Sequence, residues 1–276
     1  MKYRTMLAVC VLLAGAGGLA RAADEIADAA AKIEKDYAKA VVHLEGVLSV
    51  TAEGQLASMM GGERERKIEA VGTMVDPSGL TVTSLTSVNP IGDERKVNVR
   101  VSGQAMSATL KGEVSEMRIR LTDGTEVPAR IVLKDEDLDL AFIAPKEKLD
   151  PDARKQTRAV DLTKAASQAA RLTQAVMLGR LDKHMNRELV VRVRRVAAVI
   201  TKPRTFYFFG AGQPGAPAFT TDGKLLGINV FRKKPGGGSV GRTVAVSGTG
   251  VTLPAKDVKR IADQAKEELA KKKAQD

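Results

Sequence analysis

The chain has 276 residues, a single cysteine, no tryptophan, 3% aromatic residues and a formal net charge of +11. One cysteine excludes a disulfide scaffold, so stability must come from a packed core. The positive charge suits anionic partners in general, but the basic residues are interleaved with acids, and so few aromatic rings argue against base stacking on nucleic acid.

Residues 1–22 read as a leader. Lys2 and Arg4 form a basic start, an apolar run follows from Met6 to Leu19, and Ala20-Arg21-Ala22 supplies a small-x-small cleavage signal. That pattern is a secretory signal peptide, so the protein is expected to be exported to the periplasm or the medium. The run is short and broken by glycine for a spanning helix, which needs about 20 apolar residues. No second apolar span follows, so no membrane span is expected after cleavage. Cys10 lies within the leader; Leu7-Ala8-Val9-Cys10 faintly resembles a lipoprotein box, but Val9 is too bulky before the cysteine.

Residues 23–40 are expected to be helical, with Ile26, Ala30, Ile33, Tyr37 and Ala40 recurring at helical spacing. From Val41 to Val50 the composition turns β-rich. Residues 53–67 are polar and glycine-rich, fitting a surface loop or a hairpin tip. Short strands follow: Val71–Val75 into the turn Asp76-Pro77-Ser78-Gly79, Leu80–Thr83, an alternation through Val97, Val99 and Val101, and Ile119–Leu121 running up to Asp123-Gly124. Val127–Leu133 returns, with Pro128 favouring an edge or a bulge. Leu138–Ile143, Ala175–Leu178 and Val190–Ile200 continue, and Asp222-Gly223 precedes Leu225–Val230. Strands at this spacing with no helices between them indicate an all-β barrel or sandwich. No internal repeat of fixed period is evident. Residues 254–276 close the chain as a helix with Val258, Ile261, Ala265 and Leu269 in one stripe. Lys271, Lys272 and Lys273 stand where cations suit the macrodipole.

Three segments, in order, carry a resemblance. The first runs Gly72-Thr73-Met74-Val75-Asp76-Pro77-Ser78-Gly79-Leu80-Thr81-Val82-Thr83-Ser84-Leu85-Thr86-Ser87-Val88. The second is Leu121 to Val132 around Asp123-Gly124, then Asp135-Glu136-Asp137-Leu138-Asp139-Leu140-Ala141. The third is Gly212-Gln213-Pro214-Gly215-Ala216-Pro217-Ala218-Phe219, then Asp222 to Asn229. Together they resemble the HtrA/Deg-type branch of the trypsin-like serine proteases across roughly residues 40–255. The resemblance implies a chymotrypsin-like double β-barrel at 41–253, with halves at about 41–145 and 170–253, flanked by the N-terminal and C-terminal helices. The PDZ domain that many members carry is not expected after the last helix. Pro235 to Gly241 resembles the loop beside the family's substrate pocket.

The resemblance places the triad at Thr86, Asp139 and Pro214, so only the carboxylate is retained. A threonine hydroxyl cannot act as general base near neutral pH. Pro214 has neither a hydroxyl nor a backbone N–H. The family's oxyanion donors fall at Gly212 and residue 214, so one donor is lost too, and a single such donor typically carries about 10²–10³ in rate. His43, inside a strand, and His184, in a charged turn, are not expected to substitute. Ser84 and Ser87 flank Thr86 with no base in the motif. Ser239 matches G-x-S-x-G, but it lacks the strand-to-helix elbow that this motif needs. Asp139 is expected to bond backbone amides or a neighbouring hydroxyl, Thr86 among the candidates. No cluster has metal-ligand spacing and no phosphate or dinucleotide fingerprint appears, so neither metal nor cofactor is expected.

Three functions follow as expectations. One is a proteolytically inactive homologue that binds a peptide or protein in the cleft between the barrels, with Phe206, Phe208, Gly212 and Asn229 as candidate contacts. The second is an active serine endopeptidase with a displaced nucleophile. The third is a basic envelope protein that binds polyanions. No specific nucleic-acid partner is expected, and the oligomeric state is left open.

Overall fold

The computed structural model describes residues 24–54, 57, 63–101, 104–240 and 244–273. The leader and Cys10 lie outside the described residues. Helix α1 covers 24–37 and ends in a short 3-10 turn, Ala38–Ala40. Strands β1 (Val41–Gly54), β2 (Arg64–Met74) and β3 (Thr81–Ser84) lead into a one-turn helix α2 (Leu85–Val88). Strands β4 (Arg95–Val101), β5 (Gln104–Arg120), β6 (Glu126–Asp135) and β7 (Leu140–Pro145) complete the first half.

The short helix α3 (Pro151–Lys155) begins the crossing to the second half; Asp150 caps it, its carboxylate accepting the Ala153 N–H at 2.7 Å. That half holds β8 (Gln174–Arg180), β9 (Leu189–Arg195), β10 (Ala198–Ile200), β11 (Phe206–Phe208), β12 (Pro217–Thr220), β13 (Leu225–Val240) and β14 (Val244–Pro254). Helix α4 (Ala255–Lys273) ends it.

The first sheet runs β1-β2-β3-β7-β6-β5-β4, and β1 also pairs with β5. That extra ladder closes six strands into a barrel, with β4 appended outside. The second sheet runs β10-β11-β14-β13-β12-β8-β9. With β10 as an extra strand beside β11, it follows the same cyclic order, except that no ladder joins β9 to β10 or β11 among the described residues. One barrel is therefore closed and the other open along one seam. The repeat is topological; its side chains differ enough that no period survives in the sequence.

Closure leaves the barrel few sheet edges, and its interior is apolar, with Leu44, Leu48, Leu110 and Ile119 at most 1% exposed. A larger core lies between the barrels. It combines Val82, Leu140 and Phe142 from the first with Val176, Ile228 and Leu253 from the second. Both terminal helices join it. Val258, Ile261, Ala262 and Ala265 of α4 are buried there and Leu269 packs at its margin. Ala30 and Ile33 of α1 enter from the other end, and Tyr37 stacks on Phe219 of β12 with ring centroids 4.7 Å apart. Full burial of a side chain such as Ile33 contributes about 2 kcal/mol, so α1 is part of the core.

Of the two readings of 53–67, the strands support the hairpin: β1 runs on to Gly54 and β2 starts at Arg64, so both ends of that stretch are strand. Boundaries differ in two places. Pro254 ends β14, and the last helix starts at Ala255. Pro235–Gly241, expected as a loop, falls mostly inside the β13–β14 hairpin. A register shift between Lys233 and Gly238 leaves the intervening proline and glycines without partners, so the ladder absorbs the run as an irregularity.

Candidate functional site

Asp139 sits at the start of β7 and is 5% exposed. Its φ of +57° is left-handed, a conformation asparagine and aspartate tolerate better than most residues. That turn brings it alongside the end of β3, where Ser84 pairs with Leu140 and the Leu85 N–H donates to the Asp139 carbonyl at 2.9 Å. The carboxylate then receives four donors. Thr86 donates twice to Oδ1, from its backbone N–H at 2.8 Å and its hydroxyl at 2.6 Å. Oδ2 accepts the Ser84 hydroxyl and the Phe231 N–H, the latter at 2.7 Å. Both oxygens are thus occupied by fixed protein donors. Thr86 and Asp139 were singled out by sequence. Ser84 has no base in its motif, yet its position at the end of β3, paired with Leu140 of β7, is what delivers its hydroxyl. The Phe231 N–H, a backbone group 92 residues away, leaves no trace in the sequence.

The segment 212–217 is clamped against both barrels. The Gly215 N–H donates to Asn229 O at 2.7 Å, and the Thr73 hydroxyl on β2 donates to Gly215 O at 2.7 Å. Gly215 has φ +86°, and a Cβ there would overlap the Val71 carbonyl, so only glycine fits. The Gln213 amide docks on the backbone of Arg180, accepting its N–H at 2.9 Å and donating to its carbonyl at 2.8 Å. Pro214 is carried between these anchors and offers no N–H. Gly212 lies under Asn229, whose Oδ1 would be 2.6 Å from a Cβ at that position.

Asn229 is 3% exposed. It donates to Ala216 O at 2.8 Å and accepts the Thr252 hydroxyl at 2.7 Å, so its amide is spent on holding the segment. Phe206 is buried beneath the Arg232 guanidinium, 5.5 Å from the ring centroid, and Phe208 packs half-buried on the core between the barrels. The aromatic run therefore serves mainly the cores, with Tyr207 and Phe209 filling the second barrel.

Two open clefts flank Phe231 at the junction of the barrels. One, of about 330 Å³, is lined by Thr86, Ser87, Val88 and Pro90 together with Arg66, Lys67, Ile68 and Glu69 of β2. The other, of about 180 Å³, is lined by Glu136–Asp139, Phe206 and Val230–Lys233. Phe231 forms a wall of each. Arg204 pairs with Asp137 at the rim.

Neither histidine joins this network. His43 is buried on β1 opposite Val71 and Arg120, and its Nε2 has no hydrogen-bond partner. Burial, reinforced by Arg180 and Arg187, pushes its pKa down to about 4, which makes it a poor base. His184 stands in an exposed 3-10 turn, 3.9 Å from Asp182. Arg180 is a half-buried cation of the region. It donates to Val41 O at 2.6 Å, Ala38 O at 3.0 Å and Arg187 O at 3.2 Å, and burial lowers its pKa. Sequence reasoning missed it, because an arginine ending an apolar strand carries no mark of being turned inward. Among the described residues no group of three or more His, Cys, Asp or Glu side chains could hold a metal, and no helix is long and apolar enough to cross a membrane.

No protein-family model and no curated protein matches the sequence. In fold, 324 solved chains match. Among them is an HtrA-type protease, AlgW, solved with a tripeptide, which is 14% identical with a TM-score of 0.51. The alignment covers 85% of this chain and 62% of that one. The likeness shows the fold: a chymotrypsin-like double barrel of the kind found in an HtrA-type protease.

Proposed function

We propose that the protein is an exported, proteolytically inactive homologue of the HtrA-type serine proteases that acts by binding an extended peptide or protein segment. The observation that carries this reading is the saturation of Asp139. In the triad mechanism the carboxylate orients an imidazole that takes the proton of the nucleophile. Here the same carboxylate is filled by Thr86, Ser84 and the Phe231 N–H. Nothing on it can shuttle a proton near neutral pH, and Pro214 supplies neither nucleophile nor oxyanion donor. What remains is a rigid junction with clefts on both sides of Phe231, where a partner segment can be held between the barrels.

Treatment of the purified protein with a fluorophosphonate probe tests the inactive reading. No labelling is expected. Stoichiometric labelling of a serine, Ser84 and Ser87 included, would overturn it in favour of a serine endopeptidase with a displaced nucleophile.

A further inference from the structure

Acids and bases are mixed along most of the chain, but not in residues 162–221. That stretch holds ten lysines and arginines against two acids, Asp182 and Glu188, and so carries +8 of the chain's net +11. It includes the whole β8–β9 hairpin and β10. Both acids flank the 3-10 turn at one end of the hairpin. The other end lies about 20 Å away along strands of seven residues and has no acid of its own. Most cations of the first end are engaged: Arg187 pairs with Glu45, Lys183 with Glu69, and Arg180 bonds backbone carbonyls. Arg171, Arg194 and Arg195, at the second end, are exposed and have neither an ion pair nor a side-chain hydrogen bond among the described residues.

The same end exposes apolar side chains. Leu172 is 69% exposed, Val193 40% and Ile200 37%. They gather at the corner where β9 turns into β10. The Leu172 N–H donates to Val196 O at 2.8 Å, the Val196 N–H donates to Thr173 O at 2.9 Å, and Gln174 pairs with Arg195. Leu172 stands in a turn with φ +66°, a conformation that glycine or asparagine adopts at far lower cost than leucine. Its side chain gains nothing from burial either. Neither the backbone nor the core accounts for a leucine at this position.

We propose that this corner is a docking surface for a membrane bearing anionic phospholipid. Arg171, Arg194 and Arg195 would bind headgroup phosphates, while Leu172, Val193 and Ile200 enter the boundary between headgroups and acyl chains. A second copy of the chain would set arginine against arginine across a twofold axis. An acidic protein would need a contiguous apolar centre, which side chains interrupted by arginines do not form. A soluble polyanion would use the arginines and leave Leu172 in water. An anionic bilayer uses both sets of side chains at once. The corner lies apart from the clefts at Phe231, so the inference stands whether or not those clefts bind a peptide.

The chain has no tryptophan, so one placed at this corner reports on it alone. Leu172→Trp is mixed with vesicles of phosphatidylcholine, alone or with a third of phosphatidylglycerol. Emission is expected to move to shorter wavelength with the anionic vesicles only. In Met185→Trp, at the opposite end of the hairpin, it is expected to stay unshifted. In vesicle sedimentation the double variant Arg194→Gln, Arg195→Gln is expected to bind about tenfold more weakly than wild type, and Leu172→Ser about threefold more weakly. Lys271→Gln with Lys272→Gln, on α4, is expected to bind as wild type does. No shift in Leu172→Trp, or an equal shift with neutral vesicles, would overturn the surface. So would unchanged binding in Leu172→Ser or in the arginine double variant, with fold confirmed by circular dichroism. An equal loss in the α4 variant would assign the attraction to net charge and overturn it too. Retention on immobilised polyphosphate without sedimentation on anionic vesicles would overturn the membrane in favour of a soluble polyanion.

Discussion

Asp139 of the first barrel accepts the backbone N–H of Phe231 in the second at 2.7 Å. The carboxylate therefore joins the two halves at the point where the resemblance places the chemistry. The Thr73 hydroxyl bonded to Gly215 O is a second polar tie of the same kind, and Arg180 bonded to Val41 and Ala38 a third. The junction is held by buried polar contacts as well as by the apolar core, and such contacts are costly to leave half-made.

Replacing Asp139 by alanine strands four donors in a site that water barely reaches. The expected loss of stability is about 3–5 kcal/mol, in the range seen when one partner of a buried charged network is removed. Asp139→Asn keeps the volume and one acceptor oxygen but turns an amide donor towards Ser84 or Thr86, so an intermediate loss is expected. Urea denaturation of both variants measures it. Wild-type stability in Asp139→Ala would show that the network does not hold the junction.

Gly215→Ala is expected to be more damaging than its single methyl suggests. The residue is left-handed, and the new Cβ would overlap the Val71 carbonyl, a backbone atom that cannot swing aside. Positions requiring φ > 0 resist alanine even without a clash. A loss of more than about 3 kcal/mol is expected, read as a fall in the melting temperature or in soluble yield. Gly223→Ala is the control, because it is also left-handed but meets nothing within 4 Å. Equal effects in the two would remove the packing part of the argument.

How much of this was readable beforehand depends on the distance over which each feature is encoded. The Asp-Gly hairpins and the stripe of α4 rest on local patterns, and the placing of Thr86 near Asp139 rests on the resemblance; these were legible. The Ser84 and Phe231 contributions were not, because they depend on register between strands far apart in the chain. Phe206 and Phe208 show the opposite limit. A run of aromatic residues looks the same in sequence whether it lines a cleft or fills a core, and only the strand pairing of β11 with β10 and β14 settles that it mostly fills the core. The short ladder between β5 and β6, which ends at Pro128, was half legible, since proline announces an edge or a bulge, but the left-handed conformation of Glu116 nearby did not show.

Pro214→Ser alone is expected to produce no protease. The serine would regain a hydroxyl and an N–H, but the position that the resemblance gives to the base would still hold Thr86, whose hydroxyl is bonded to Asp139. Turnover of a fluorescent casein substrate should stay at the buffer rate. Any turnover in the single variant above that of wild type would mean that the base has been misplaced.

Arg180 makes three separate backbone contacts through one planar fork, which lysine cannot reproduce. Arg180→Lys is therefore expected to cost about 2 kcal/mol through donors lost at Ala38 and Arg187, and to loosen the end of α1. Faster hydrogen exchange at 33–42 with little change in β6 and β7 is the expected signature. A change spread evenly over both barrels would point to general destabilisation instead.

His43 gives the fold a pH dependence with a definite sign. Its pKa falls from 6.5 in the unfolded chain to about 4 in the folded one, first because burial disfavours the charged ring, then because Arg180 and Arg187 lie close, with Glu69 opposing. Between those values the unfolded state binds a proton that the folded state refuses, so stability rises with pH there. The contribution is present in full above about pH 6.5, declines as the pH drops, and is gone below about pH 4. Integrated over that window it amounts to roughly 3 kcal/mol. Carboxylates titrate in the lower part of the same range, so the comparison has to be made against His43→Leu, which keeps the bulk and removes the titration. The stability difference between the two proteins, from urea denaturation at pH 4 to 8, should change by that amount and level off above pH 7. A difference that stays constant with pH would show that the buried ring is protonated as easily as a free one.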